Sequence, residues 1–289
     1  MKKLLKLLTV IGIFLTMTIF TFASDSLSPF LGVKGDAATV KVNIEKQGFN
    51  IIGEYDVAGK SELHVIAFTR DDLKKVSAYY SNSGALASVL KIGIKKEKDG
   101  TTTLSLLNPD YMFNAYFGKD YDKKAKVLSK INSDAIAILP GTPNGFGGEV
   151  KIAKLRKYHY MVGMPYFKDS VKLKSYDSFD KGLAAIENNI KTNSNVKLVY
   201  KVIDKKKKTA VFGFALTDPN KGEKEFLPII GEDHFAAMPY EIILEGNKVT
   251  MLHGRYRIAL YWPELSMGTF SKIMSTPGDI ENMMKTVVK

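Results

Sequence analysis

The strand-turn-strand plan of residues 49–57 and 63–69 recurs at residues 196–203 and 210–217, an offset of 147 or 148 in both pairs. A third pair extends the echo: residues 92–104 match residues 240–251, with Asp99-Gly100 and Gly246-Asn247 standing 147 apart. A chain that repeats its own plan is constrained to two like copies, here α+β, and the expected molecule is a pseudo-dimer joined by its own backbone. Asp-Gly between β-rich runs is the strongest short hairpin signal, so a type I′ turn is expected at Asp99-Gly100 and the same at Gly246-Asn247.

Helical spacing follows each hairpin. In the first copy it puts Tyr121, Ala125, Leu128 and Ile131 on one face. In the second, Thr276 as N-cap, Pro277 at the first helical position and Asp279 in the first turn lead into Ile280, Met283, Met284 and Val287. Ahead of the first strand of each copy the signals differ: Leu183, Ile186 and Ile190 recur at helical intervals, whereas Val40, Val42 and Ile44 alternate like a strand. Duplication favours a helix in both. Between the copies the turn-rich stretch 140–148 breaks all periodicity, and residues 158–166 read as an added strand. The plan is therefore a signal segment at 1–23, a lead-in at 24–35, a first copy at 36–139, a linker with an inserted strand at 140–175, and a second copy at 176–289.

Lys2, Lys3 and Lys6 precede the apolar run 7–22, which closes on Ala23 and Ser24. That order is the n-region, h-region and small-residue site of a cleaved export signal. The run is short for a membrane span, which needs about 20 apolar residues, and it carries four threonines. The expected compartment is the periplasm or the exterior, with no stable membrane insertion after cleavage. The chain has no cysteine, so disulfides, thiolate metal sites and cysteine nucleophiles are excluded together. Without residues 1–23 it keeps 39 basic against 30 acidic residues, a net charge of +9. The lysines stand in short runs at turns, such as Lys205 to Lys208, and beside acidic residues, which reads as a solvated surface. Nucleic acid is not the expected partner, because no basic helix with interleaved aromatics occurs.

Residues 231–243, running into the second hairpin, and the helix-Gly-Phe49 entry to the first copy resemble the domain-of-unknown-function 302 family. The resemblance spans most of residues 36–139 and 176–289 and rests on strand-and-turn patterns. It implies a small α+β domain, one sheet flanked by helices and often dimeric, here in an exported tandem form whose joined copies replace a homodimer. It implies no catalytic chemistry. The inserted segment from about 150 to 170 departs from the bare domain.

No motif names a reaction. Residues 141–148 lack the lysine and hydroxyl order of a phosphate loop, and no G-x-S-x-G elbow presents a serine. Glu232, Asp233 and His234 group three polar side chains; on extended chain Glu232 and His234 share a face. With His253 or His159 they form the metal set to weigh, against the plainer reading that they cap a loop.

The densest cluster is residues 253–262. As a strand it puts Arg255 and Arg257 on one face, a receptor for carboxylate or phosphate, with Tyr256 and Ile258 opposite. A structural ion-pair network with Glu232 and Asp233 is the alternative. The matching region of the first copy, residues 108–117, has no arginine. The candidate ligand set is thus Arg255, Arg257, His253, Glu232, His234 and Tyr256, all in the second copy, with no catalytic residue, metal or cofactor assigned. Three functions remain: a binding protein for a small anionic or amphipathic ligand, favoured because no ordered catalytic set stands out; a hydrolase or metal-assisted enzyme using His234 or His253; and a structural envelope protein. The expected assembly is a monomeric pseudo-dimer or a homodimer.

Overall fold

Short apolar runs closed by glycine, aspartate or asparagine make the strands, and side-chain oxygens or ring nitrogens of Asp36, Asn108, Ser178, His253 and Ser266 cap five of the helices. The computed structural model describes residues 25–80 and 83–289, so the expected export segment lies outside the described residues. The first half runs β1 (Ser26–Leu27), β2 (Phe30–Lys34), α1 (Ala37–Lys46), β3 (Asn50–Asp56), β4 (Leu63–Thr69), α2 (Asp71–Ser77), β5 (Leu90–Lys96), β6 (Thr102–Leu107), α3 (Pro109–Phe117) and α4 (Ala125–Ile136). A connection follows with β7 (Asn144–Phe146), β8 (Val150–Lys151) and α5 (Ile152–Leu155). The second half runs β9 (Val171–Ser175), α6 (Phe179–Asn189), β10 (Val196–Asp204), β11 (Thr209–Leu216), α7 (Glu223–Ile230), β12 (Tyr240–Glu245), β13 (Lys248–Met251), α8 (Gly254–Tyr261), α9 (Met267–Ser271) and α10 (Thr276–Val287).

The class is α+β, with two antiparallel sheets of matching order. The first is β3-β4-β5-β6-β2-β7 and the second β10-β11-β12-β13-β9, so the five strands common to both are laid down in the same sequence. β1 and β8 form a separate pair. The lead-in is thus more structured than its sequence suggested: β2 is the inner strand between β6 and β7, and the turn-rich stretch supplies β7 as the sheet edge.

α1 resolves the ambiguity at Val40, Val42 and Ile44. Asp36 accepts the Ala38 N–H at 2.9 Å, Val40 and Ile44 are buried four residues apart, and Val42 is 64% exposed. That is one helical stripe, with the capping oxygen satisfying an otherwise orphaned donor. Leu128, Ile131 and Ala135 on α4 are buried in the same manner. α10 starts one residue earlier than expected, with Ser275 at the N-cap and Thr276 first in the helix.

Both hairpins form, but neither is type I′. At the first, Glu97 donates to Thr101 O at 2.8 Å around three residues, Gly100 is left-handed at φ 83°, and Asp99 accepts the Thr101 N–H. At the second, the two-residue loop puts only Gly246 at positive φ, 59°, as a type II′ turn requires. Residues 158–166 are not a strand: Gly163 at φ 82° and Pro165 break the extended chain, and Met164 turns back to bond Met161 O.

The halves touch reciprocally. The 3-10 turn Glu232–Ala237 packs on β5 and β6, with the Phe235 ring 2.5 Å from where a Cβ on Gly93 would stand. The 3-10 turn Gly84–Ser88 packs in return on β11 and β12. β3 and β10 approach until a Cβ on Gly53 would lie 2.1 Å from Val199 O, so this crossing admits only glycine. Tyr111 donates to Leu260 O at 2.7 Å, and Tyr256 reaches Ala115 O at 3.5 Å. No helix among the described residues is long and apolar enough to cross a membrane.

Candidate functional site

The residues singled out by sequence separate in space, because residues 254–261 are helical. His253 is the N-cap of α8, its Nδ1 accepting the Arg255 N–H at 3.2 Å. At about 100° per residue, Arg255 and Arg257 point to opposite sides of a helix, and the shared-face receptor does not exist. The preceding strand ends at Met251, and α8 is buried on most of its circumference, so its sequence shows no helical period to read.

Arg257 turns inward to the contact between the halves and is 1% exposed. It donates from Nη2 to Ala237 O and to Pro239 O at 2.9 Å, lies 3.7 Å above the centre of the Tyr240 ring, and approaches Glu241 at 3.5 Å. Lys91 of β5 reaches the same carbonyls from the other half and pairs with Glu241, which also accepts from Tyr200 at 3.0 Å. Burial pushes the Lys91 ammonium down to about 8 against the opposing pull of Glu241. Removing one member of such a set strands a buried charge, which makes it structural glue between the halves. Tyr256 is buried beside it, at the Ala115 contact.

His234 and Glu232 are structural too. His234 is 5% exposed, with Nδ1 2.7 Å from Tyr261 O, Nε2 3.5 Å from Glu264, and its ring between Phe30 and Trp262. Burial lowers its pKa. Glu232 pairs with Lys60 and Asp233 with Lys95, both across the halves, so neither neutralises the arginines as the network alternative supposed. His159 bonds Met161 O at 2.8 Å and lies tilted against the Tyr166 ring, 4.4 Å between centres. No group of three or more His, Asp or Glu among the described residues is placed to hold a metal.

Glu223 went unnoticed in the sequence. It is 1% exposed and joins the halves, accepting from Tyr55 Oη at 2.9 Å, Ala58 N at 3.0 Å and Leu216 N at 3.2 Å. Burial raises its pKa to about 7 against those three donors.

Arg255 is the one suspected residue that lines the apolar hollow beside α8. Arg255, Ile258, Ala259 and Trp262 stand at i, i+3, i+4 and i+7, one stripe of α8. That stripe walls a hollow of about 240 Å³ completed by Met161 and Met164 of the irregular segment and by Met267, Phe270 and Met274 around α9. Unbranched thioethers form adaptable apolar surface, and Met161, Met267 and Met274 are 49%, 55% and 60% exposed there. A second hollow of about 320 Å³ adjoins it, lined by His253, Ser275 and Glu281, and Arg255 and Met274 line both. Burial and the nearby Arg255 charge lower the His253 pKa. The Arg255 guanidinium has no ion-pair partner among the described residues, while Glu281 is held by Lys285 at 2.7 Å. An apolar chamber thus opens on a polar one past an uncommitted cation.

Compared with known proteins, the chain matches no family model, and no curated protein matches it.

Proposed function

We propose that this chain is a binding protein for a small amphipathic anion, lying tail-first in the hollow beside α8 with its acidic head at Arg255. The observation that carries this reading is the position of Arg255, unpaired where the apolar and polar hollows meet. A carboxylate or phosphate there gains a charge-assisted bidentate contact, and the methionine, phenylalanine and tryptophan walls take the apolar part. The small volume of the apolar hollow favours a short tail. The enzyme reading loses ground because His234 is spent on Tyr261 O and His253 on capping α8. We further read the two halves as tandem copies of a domain like the domain-of-unknown-function 302, packed as a covalent pseudo-dimer and exported. The matching strand orders and the reciprocal tyrosine bonds support that reading.

Native mass spectrometry of the protein purified from its own cells tests the function. The expected spectrum contains the chain plus a small acidic molecule that dissociates on activation. A bare chain that also gains no thermal stability from decanoate would contradict it.

A further inference from the structure

We propose that the lysine-bearing end of the second sheet is a docking surface for an anionic lipid membrane. Lys205 to Lys208 form the turn between β10 and β11, and all four are exposed. The neighbouring turn is tied to it, Gly246 donating to Lys208 O at 2.8 Å, and exposed Lys248 opens the next strand. Thr209 pairs with Glu245, Glu245 with Lys248 and Lys248 with Ser175, so the turns and strand ends line up across one end of the sheet. At a strand spacing of about 4.8 Å that row is on the order of 15 Å wide.

These charges are uncompensated. None of Lys205, Lys206, Lys207, Lys208 or Lys248 has an ion-pair partner among the described residues, whereas Lys60 and Lys95 of the first half are paired with Glu232 and Asp233. The nearby acids Asp204 and Glu245 make no ion pair with these lysines and are outnumbered by them. Asp204 accepts the Lys207 N–H at 3.0 Å, and Glu245 takes the Ser83 N–H. Lys208 also adopts φ 50°, a left-handed conformation disfavoured for an L-residue, which Gly59 at φ 69° and Ala58 at φ 57° take in the corresponding β3–β4 connection. Four adjacent like charges, one of them in a strained site suited to glycine, are unfavourable for the isolated fold. A partner that is itself a dense field of negative charge offsets that repulsion.

The chemistry selects the partner. Lysine is a hydrated point charge without the planar fork that reads an individual phosphate, which suits diffuse attraction to headgroups. No aromatic side chain stands in the 204–209 turn to stack a base, as single-stranded nucleic acid would require. Docking here leaves the hollow beside α8 open, because Val171 and Met251, which line its polar neighbour, are at the far ends of β9 and β13. This inference stands whether or not that hollow binds an anion.

The test is cosedimentation of the full-length chain with phosphatidylglycerol-containing or pure phosphatidylcholine vesicles. Using full-length protein throughout keeps any contribution of the apolar N-terminal run constant. The expected result is stronger binding to the anionic vesicles, falling with added salt. Joint Lys205→Gln, Lys206→Gln, Lys207→Gln and Lys208→Gln substitution lowers it on the order of a thousandfold, from about 1 kcal/mol per lysine. Lys208→Gly separates binding from folding, since it raises the melting temperature while weakening vesicle binding. Equal binding to both vesicle types, or undiminished binding by the quadruple variant with native circular dichroism, overturns the proposal. So does lysine-dependent binding to an RNA oligonucleotide without binding to vesicles.

Discussion

The hydroxyls of Tyr116 and Tyr261 lie 2.7 Å apart and share a buried hydrogen bond between the halves. Each stands eight residues after the N-cap of its helix, Asn108 for α3 and His253 for α8. Tyr111 and Tyr256 likewise each stand three residues after those caps and reach carbonyls of the opposite half. Contacts in which i meets j while the equivalent of j meets the equivalent of i are what the proposed pseudo-dimer requires. Tyr116→Phe or Tyr261→Phe leaves the other hydroxyl buried with a lost partner, at a cost of about 1–3 kcal/mol. The double substitution is expected to cost less than the two single ones together, which urea denaturation of all four proteins measures.

Backbone crowding between the halves is equally specific. Gly53→Ala sets a methyl group against Val199 O, a backbone atom that cannot rotate away. The expected loss is about 1–3 kcal/mol or more, read as a lowered denaturation midpoint.

The ionic set at the contact is expected to behave as a unit. Arg257→Met leaves Glu241 with less cationic cover and is expected to cost about 3–5 kcal/mol. Adding Glu241→Gln to that variant restores part of the loss. Calorimetric melting of the two variants checks the order, and a more stable single variant would refute the coupling.

Glu223 makes stability depend on pH with a definite sign. Its pKa is raised from 4.5 to about 7 on folding, so the folded state favours the protonated form. That contribution is complete below pH 4.5 and is lost as pH rises through about 7, amounting to about 3 kcal/mol. Lys91 acts in the opposite sense above that range: its pKa falls from 10.5 to about 8, so its contribution is present above 10.5 and is lost as pH falls through about 8. Together they place a stability minimum between these transitions, near pH 7 to 8. The wild-type melting temperature should decline from pH 5 to 7.5 relative to that of Glu223→Gln, in a parallel pH series.

The common strand order of the two sheets was legible because each half carries its strands and turns locally, in the offset between Asp99-Gly100 and Gly246-Asn247. The helix at α1 was legible only through the duplication, since Val40, Val42 and Ile44 fit a period of two as well as one of four. α8 was misread for the opposite reason: a helix buried on both sides loses its amphipathic pattern. Its stripe of Arg255, Ile258, Ala259 and Trp262 becomes visible only once a helical period is tried. The hollow's methionines come from segments about 100 residues apart, and no local pattern joins Met161 to Met267. The Glu223 and Lys91 contacts were equally hidden, since they depend on how the two halves dock.

Trp262 is the sole tryptophan and walls the apolar hollow, so its emission reports directly on what enters there. The decisive measurement is a fluorescence titration of wild type and Arg255→Ala with decanoate and with decanol. The account predicts that wild type binds decanoate more tightly than decanol by roughly tenfold, and that Arg255→Ala abolishes the difference while still binding both. Equal affinities in wild type, or a preference for decanoate that survives Arg255→Ala, would contradict it.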